Sequence, residues 1–257
     1  MTALQIPDLA GKAFLVTGAS TGIGAAVAKA LGQQGAHVCV HYNSSEDAAR
    51  EVVANIEQAG GTAFSIGGNM GLYADATSVV TRAAEKFGKL DGLINNAGSL
   101  LGRKPVAESD EAHDQAVIAL NAQSVVWACR AALPWLKKQG GVIINTSSIA
   151  GRNGGGGGSV LYAAAKGYVN TFTRGLAKEV VQDKIRVNAV SPGVILTPFH
   201  ERFSSEQQMA GMVGSIPMGR AGTVDECVGA YLFLASTMLS SYVTGQIIEV
   251  NGGQFMP

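Results

Sequence analysis

Short apolar runs rich in β-branched residues recur along the chain at 13–17, 37–42, 62–66, 92–95, 142–146, 185–190 and 246–250. Most lack the polar/apolar alternation of a half-exposed strand, as expected of parallel strands covered on both faces. Between them, 23–34, 45–59, 74–87, 111–138, 162–182 and 224–234 have helical length and composition. Strand–helix repetition from end to end predicts one α/β domain over residues 1–257, a doubly wound sheet of seven mainly parallel strands with helices on both faces. Its ligand crevice is then expected at the carboxyl ends of the strands.

Two stretches break the pattern. Residues 154–158 are five consecutive glycines, expected to form a mobile loop. Residues 197–222, between the sixth strand and the last helix, carry Phe199, Phe203, Met209, Met212 and Met218. They read as a substrate lid, or else as a surface loop tucking a short helix into the core.

Composition removes several classes of function. Lys+Arg and Asp+Glu number 19 each, so no net field draws the chain to nucleic acid or to an anionic membrane. Cys39, Cys129 and Cys227 are scattered and odd in number, which argues against a disulfide framework and a cysteine metal site. His37, His41, His113 and His200 have no metal-binding spacing, so no metal is expected. Residues 1–12 show no basic region followed by an apolar block, and no run of about 18 apolar residues is evident. A soluble, cytoplasmic protein is the expectation.

The first strand leads into Thr17-Gly18-Ala19-Ser20-Thr21-Gly22-Ile23-Gly24 and directly on into an alanine-rich helical stretch. Gly18 permits a tight turn, while Gly22 and Gly24 let backbone N–H groups and the helix N-terminus approach a pyrophosphate. The spacing differs from the common G-x-G-x-x-G; its place at the first strand-to-helix junction is what points to phosphate binding. Asn95-Asn96-Ala97-Gly98, Asn121, Ser148, Tyr162-x-x-x-Lys166 and Pro192-Gly193-x-x-x-Thr197 then follow in order. In this series the chain resembles the short-chain dehydrogenase/reductase family over nearly its whole length. The resemblance implies a Rossmann-like fold and an oxidoreductase moving a hydride between a nicotinamide dinucleotide and a carbonyl/alcohol pair. It implies that Asn96, Ala97 and Gly98 lie along the adenosine ribose, and that Pro192, Gly193, Ile195 and Thr197 serve the nicotinamide carboxamide.

Tyr162 and Lys166 are four apart in a helical segment, so both side chains emerge on one face. A free tyrosine, with a pKa of about 10, is a poor base at neutral pH. A nearby ammonium, together with the charge of an oxidised nicotinamide, favours the phenolate. Tyr162 is then the proton donor in carbonyl reduction. Ser148 ends the fifth strand, where a hydroxyl can bond the substrate oxygen; the resemblance selects it over Ser147, because the family serine is followed by two residues and then glycine. The spacing from Ser148 to Tyr162 is one residue longer than is usual in the family, the glycine run absorbing the difference. Asn121, by resemblance, holds a water that connects Lys166 to solvent.

Cofactor choice turns on the end of the second strand. Tyr42 stands where NAD-preferring members of the family place aspartate, so no charge repels a 2′-phosphate. Asn43, Ser44 and Ser45 offer uncharged donors, and Asn69, with Met70 beside it, takes the place of the aspartate that reads adenine. NADP(H) is expected to be preferred and NAD(H) to be possible, because Ser20 occupies a position where many NADP-using members carry Arg or Lys. The chain resembles both 3-oxoacyl-thioester reductases, the first expectation, and sugar or polyol dehydrogenases. A carrier protein would need a basic patch, for which Arg103, Lys104, Arg130, Lys137, Lys138 and Arg152 are available. A non-catalytic dinucleotide-binding protein is the reading from another class, and the presence of Asn121, Ser148, Tyr162 and Lys166 together weighs against it. Apolar residues on 111–138 and 162–182, among them Val125, Val126, Trp127, Ala131, Leu133, Val169, Phe172 and Leu176, exceed what one side of a sheet requires. The family pairs these helices, so a homotetramer is expected.

Overall fold

The computed structural model describes residues 5–257. Its centre is a seven-stranded sheet of order β3-β2-β1-β4-β5-β6-β7, formed by β1 Ala13–Val16, β2 His37–Tyr42, β3 Thr62–Gly67, β4 Gly92–Asn95, β5 Gly141–Thr146, β6 Ile185–Pro192 and β7 Ile247–Val250. Every pairing is parallel. The central strands β1 and β4 are buried at every position, which is why their sequences run apolar without alternation.

The helices follow in chain order: α1 Gly22–Gln33, α2 Glu46–Gln58, α3 Tyr73–Phe87, α4 Glu111–Ile118, α5 Ser124–Leu136, α6 Ala150–Asn153, α7 Val160–Val180, α8 Pro198–Phe203, α9 Glu206–Gly214, α10 Val224–Ala235 and α11 Thr237–Ser240. The hydrophobic core divides into two clusters. One gathers Val27, Leu31, Val52 and Leu234, from α1, α2 and α10; the other gathers Val80, Ala128, Val169 and Leu176, from α3, α5 and α7. These are the two faces of a doubly wound sheet. Strand order reverses between β1 and β4, so the crevice opens beyond their carboxyl ends.

Three features differ from the sequence expectations. The stretch 111–138 is not one regular helix: a π-helical turn, Ala119–Gln123, separates α4 from α5. The Asn121 amide donates to the carbonyls of Val117 and Ser99 at 2.9 and 2.8 Å, so a side chain competes for a helical acceptor. The continuous stretch Glu111–Leu136 is also long and apolar enough to cross a membrane, yet Val125, Ala128, Cys129, Ala132 and Leu136 belong to the core. The glycine run is tethered rather than loose. Lys104 N–H donates to the Gly158 carbonyl at 3.0 Å, Ser159 Oγ closes on the Gly156 carbonyl, and Arg103 donates to the carbonyls of Gly156 and Gly157.

Candidate active site

The glycine turn is built around close approaches. Gly18 has φ +61° and Gly22 φ +58°, conformations that only glycine adopts without strain. A Cβ on Gly24 would collide with the Gly18 carbonyl and the Asn96 amide. Asn96 explains the crowding: its Nδ2 donates to the carbonyls of Thr17 and Gly18 at 3.0 and 2.9 Å, bolting the turn to the end of β4. Thr17 Oγ1 in turn accepts from the N–H groups of Asn96 and Ala97. The first turn of α1 carries no acidic residue, and Thr21 makes no side-chain cap, so its N–H groups and positive dipole end face the crevice. The cradle therefore fits a pyrophosphate.

A second bolt comes from His41. Gly18 N–H donates to its Nδ1 at 2.9 Å, so the ring proton lies on Nε2, which faces the Gly68 carbonyl at 2.9 Å. Burial holds this imidazole below its usual pKa, and it stays neutral. The sequence shows only that His41 has no metal-binding spacing; its part in shaping the turn depends on a contact with Gly68, just past β3, that no local pattern reveals.

Beyond β5 and α7 lie the chemical groups. Asn95 Nδ2 donates to Asn145 Oδ1 and Asn145 Nδ2 to Thr173 Oγ1, each at 2.9 Å, a buried chain that ties α7 to the sheet. Gly151 lets α6 press on the α7 backbone at Lys166. Along α7, Lys166 is buried and donates to the Thr146 carbonyl at 2.8 Å. Its Nζ stands 5.6 Å from the centre of the Tyr162 ring. The Tyr162 hydroxyl is bonded to Ser148. Ser147 faces the other way, buried and donating to Asn170 Oδ1 at 2.6 Å.

Burial pushes the Tyr162 phenol up to about 12, the Ser148 hydroxyl pulling the other way, and draws the Lys166 ammonium down to about 8. In the chain by itself desolvation is the larger influence on Tyr162, and the Lys166 ammonium is anchored to Thr146; the positive charge of an oxidised nicotinamide would come only with the bound dinucleotide. Asn121 is fully buried, and its amide is spent on Val117 and Ser99, with Oδ1 accepting from Ser99 N–H.

One cavity of about 1260 Å³ joins these parts. Its wall includes Gly18, Ser20, Thr21, Gly22 and Ile23 from the glycine turn, and Asn43 and Ser44 after β2. Asn69, Met70, Asn96, Ala97 and Gly98 follow, then Ser148, Tyr162 and Lys166, and finally Pro192, Gly193, Ile195 and Thr197. Gly24 lies behind the wall. Tyr42 does not reach the cavity: it lies beside Gly67, with its hydroxyl toward Glu46. Residues of the 197–222 segment, and others that the sequence did not assign to the site, also line it. Phe199, on α8, packs on the Tyr162 ring at 5.8 Å between centroids, and Arg103, His200 and Arg202 stand around it. Among the described residues no cluster of His, Cys, Asp or Glu could hold a metal ion.

Comparison with known proteins gives a consistent picture. A family model described as enoyl-(acyl carrier protein) reductase matches residues 18–254. A 3-oxoacyl-[acyl-carrier-protein] reductase from Synechocystis sp. is 38% identical over 253 residues, covering 96% of this chain and 98% of the relative. The crystal structure of an NADH-dependent reductase, A1-R', complexed with NAD superimposes with a TM-score of 0.88 at 36% identity, covering 98% of this chain and 100% of that one. A short-chain dehydrogenase from Burkholderia cenocepacia in complex with NADP gives 0.90 at 32% identity, covering 96% and 99%.

Proposed function

Since the chain belongs to the short-chain dehydrogenase/reductase family and is an NAD(P)-dependent oxidoreductase, we propose that it reduces a small-molecule carbonyl compound with Tyr162 as proton donor. The observation that carries this reading is the convergence of Ser148, Tyr162 and Lys166 on the cavity that also contains the glycine turn. The bound dinucleotide supplies the hydride to the carbonyl carbon. Gly18, Ser20, Thr21, Gly22, Ile23 and Gly24 form the pyrophosphate cradle; Asn96, Ala97 and Gly98 lie along the ribose; Pro192, Gly193, Ile195 and Thr197 border the nicotinamide. Ser148 Oγ donates to the substrate oxygen as negative charge grows there. Tyr162 Oη gives that oxygen its proton, and the Lys166 ammonium stabilises the phenolate left behind. Asn121, its amide committed to Val117 and Ser99, holds the water that reconnects Lys166 to solvent, as the family resemblance implies.

The finer assignments rest on particular residues. NADP(H) over NAD(H) is supported by the wall at Asn43, Ser44 and Asn69, where none of the described residues lining the cavity is a carboxylate. A free carbonyl compound is favoured over a carrier-bound thioester, because the basic residues available for docking are largely engaged. Lys104 pairs with Asp110, Lys137 with Asp183 and Arg152 with Glu249, and Lys138 covers Trp135. The segment 197–222, folded as α8 and α9 over the cavity, acts as a lid. A homotetramer is supported by Tyr168 and Tyr242, which are exposed, and by Trp127 on α5 and Phe172 on α7, which are only partly buried. Following nicotinamide absorbance over a panel of ketones, aldoses, keto acids and acetoacetyl thioesters tests the reading. Oxidation of the reduced dinucleotide by a free carbonyl compound is expected; a protein that binds dinucleotide and reduces none of them contradicts it.

A further inference from the structure

The charges on the cavity wall are all of one sign. Among the described residues the wall holds Arg103, Lys166 and Arg202 and not a single Asp or Glu. Their distribution is also uneven. The adenosine end, at Asn43, Ser44, Ser45 and Asn69, is neutral, whereas Arg103 and Arg202 stand at the end where Phe199 covers Tyr162.

The three cations differ in what they have left to give. Lys166 is anchored on Thr146. Arg103 is spent on structure: its Nε donates to the Phe203 carbonyl at 2.5 Å, its Nη1 to the carbonyls of Gly156 and Gly157, and its Nη2 to Ser204 Oγ at 3.3 Å. It clamps α8 to the glycine run and leaves a fixed positive charge under the lid, felt by His200, whose pKa is lowered by burial and then by Arg103. Arg202 is different. It follows Phe199 by three residues on α8, so the two side chains share a helix face, and among the described residues it has neither an ion pair nor a hydrogen-bond partner. A free guanidinium fork in a carboxylate-free cavity matches a carboxylate in two-pronged geometry.

Resting on the reductase reading above, we propose that the substrate is an oxo acid, its carbonyl between Ser148 and Tyr162 and its carboxylate received by Arg202. Arg103 is a positioning residue that holds α8, and with it Arg202, over the site. The dinucleotide's phosphates have their own cradle of backbone N–H groups at the glycine turn, which leaves the Arg202 guanidinium for the substrate.

The test compares short straight-chain oxo acids with their carboxamides and with terminally phosphorylated oxo alcohols, using the parent, Arg202→Gln and Arg202→Lys. Turnover is measured with reduced dinucleotide, and binding by titration into protein loaded with oxidised dinucleotide, where no hydride can move. The acids are expected to exceed the carboxamides in kcat/KM by about 10-fold or more, as befits a charged hydrogen bond. Arg202→Gln should remove that advantage mainly through KM, Arg202→Lys should restore part of it, and the KM for dinucleotide should hold. Carboxamides turned over as well as acids, or a phosphorylated compound preferred to both, would overturn the carboxylate assignment and leave the reductase reading standing. An Arg202→Gln effect on dinucleotide KM instead of substrate KM would also overturn it. Acids bound more tightly than carboxamides but never reduced would sustain the anion site and sink the reductase reading.

Discussion

Lys166 donates to the main-chain carbonyl of Thr146 at 2.8 Å, so its ammonium is fixed to the end of β5, beside the Tyr162 ring, and among the described residues it makes no ion pair. Its charge can therefore be lost without breaking a salt bridge. Reduction requires Tyr162 protonated and Lys166 charged. Lys166, drawn down to about 8, loses its charge first as pH rises, while Tyr162, held near 12, keeps its proton throughout that range. The kcat/KM for carbonyl reduction, which reports the free enzyme, is expected to be level at neutral pH and to fall as pH rises through about 8. Rates that stay level through that range would show that the lysine charge is not used.

Ser147 and Ser148 are adjacent and separable. Ser148→Ala should leave folding intact and lower kcat, because it removes the hydroxyl bonded to Tyr162. Ser147→Ala strands the buried Asn170 carbonyl oxygen, at a cost of about 1–3 kcal/mol in unfolding free energy. Thermal denaturation and turnover of both variants check this; equal loss of turnover with unchanged stability in both would contradict it.

The strands were legible because parallel core strands need continuous apolar runs, and β2 and β4 begin and end where their sequences suggest. The catalytic helix was legible through Tyr162 and Lys166, whose spacing alone places them on one face. The π turn was not, since Ala-Leu-Asn-Ala-Gln contains no helix breaker and the cause is a bond from Asn121 to Ser99, distant in sequence. Arg103 read as a surface cation for the same reason: its partners, Phe203 and Ser204, lie about a hundred residues away and meet it only in the fold. Tyr42 was assigned to the cofactor from its place at the end of β2, but its ring turns to Gly67.

Gly24→Ala tests the cradle. The added methyl would meet the Gly18 carbonyl and the Asn96 amide, so the turn must open. Dinucleotide affinity, measured by fluorescence titration, is expected to fall by about 10-fold or more, with the sheet still folded by circular dichroism. Unchanged affinity would place the pyrophosphate elsewhere.

For cofactor choice, NADPH is expected to give the higher kcat/KM, with the difference in KM, because a 2′-phosphate far from the hydride binds ground and transition states alike. Ser44→Asp should reverse the order by introducing the missing negative charge. A parent enzyme that works better with NADH would contradict this.

For assembly, light scattering at micromolar concentration is expected to give four times the 26.4 kDa chain mass. A monomer would mean that Tyr168 and Tyr242 are simply solvated.

The central claim is proton donation by Tyr162, and Tyr162→Phe tests it most directly, since it keeps the ring against Phe199 and removes only the hydroxyl. With a carbonyl compound that the parent reduces, turnover should fall by at least the roughly 10²–10⁴-fold that general acid catalysis supplies, while dinucleotide binding is retained. Near-parental turnover in the phenylalanine variant would contradict the account.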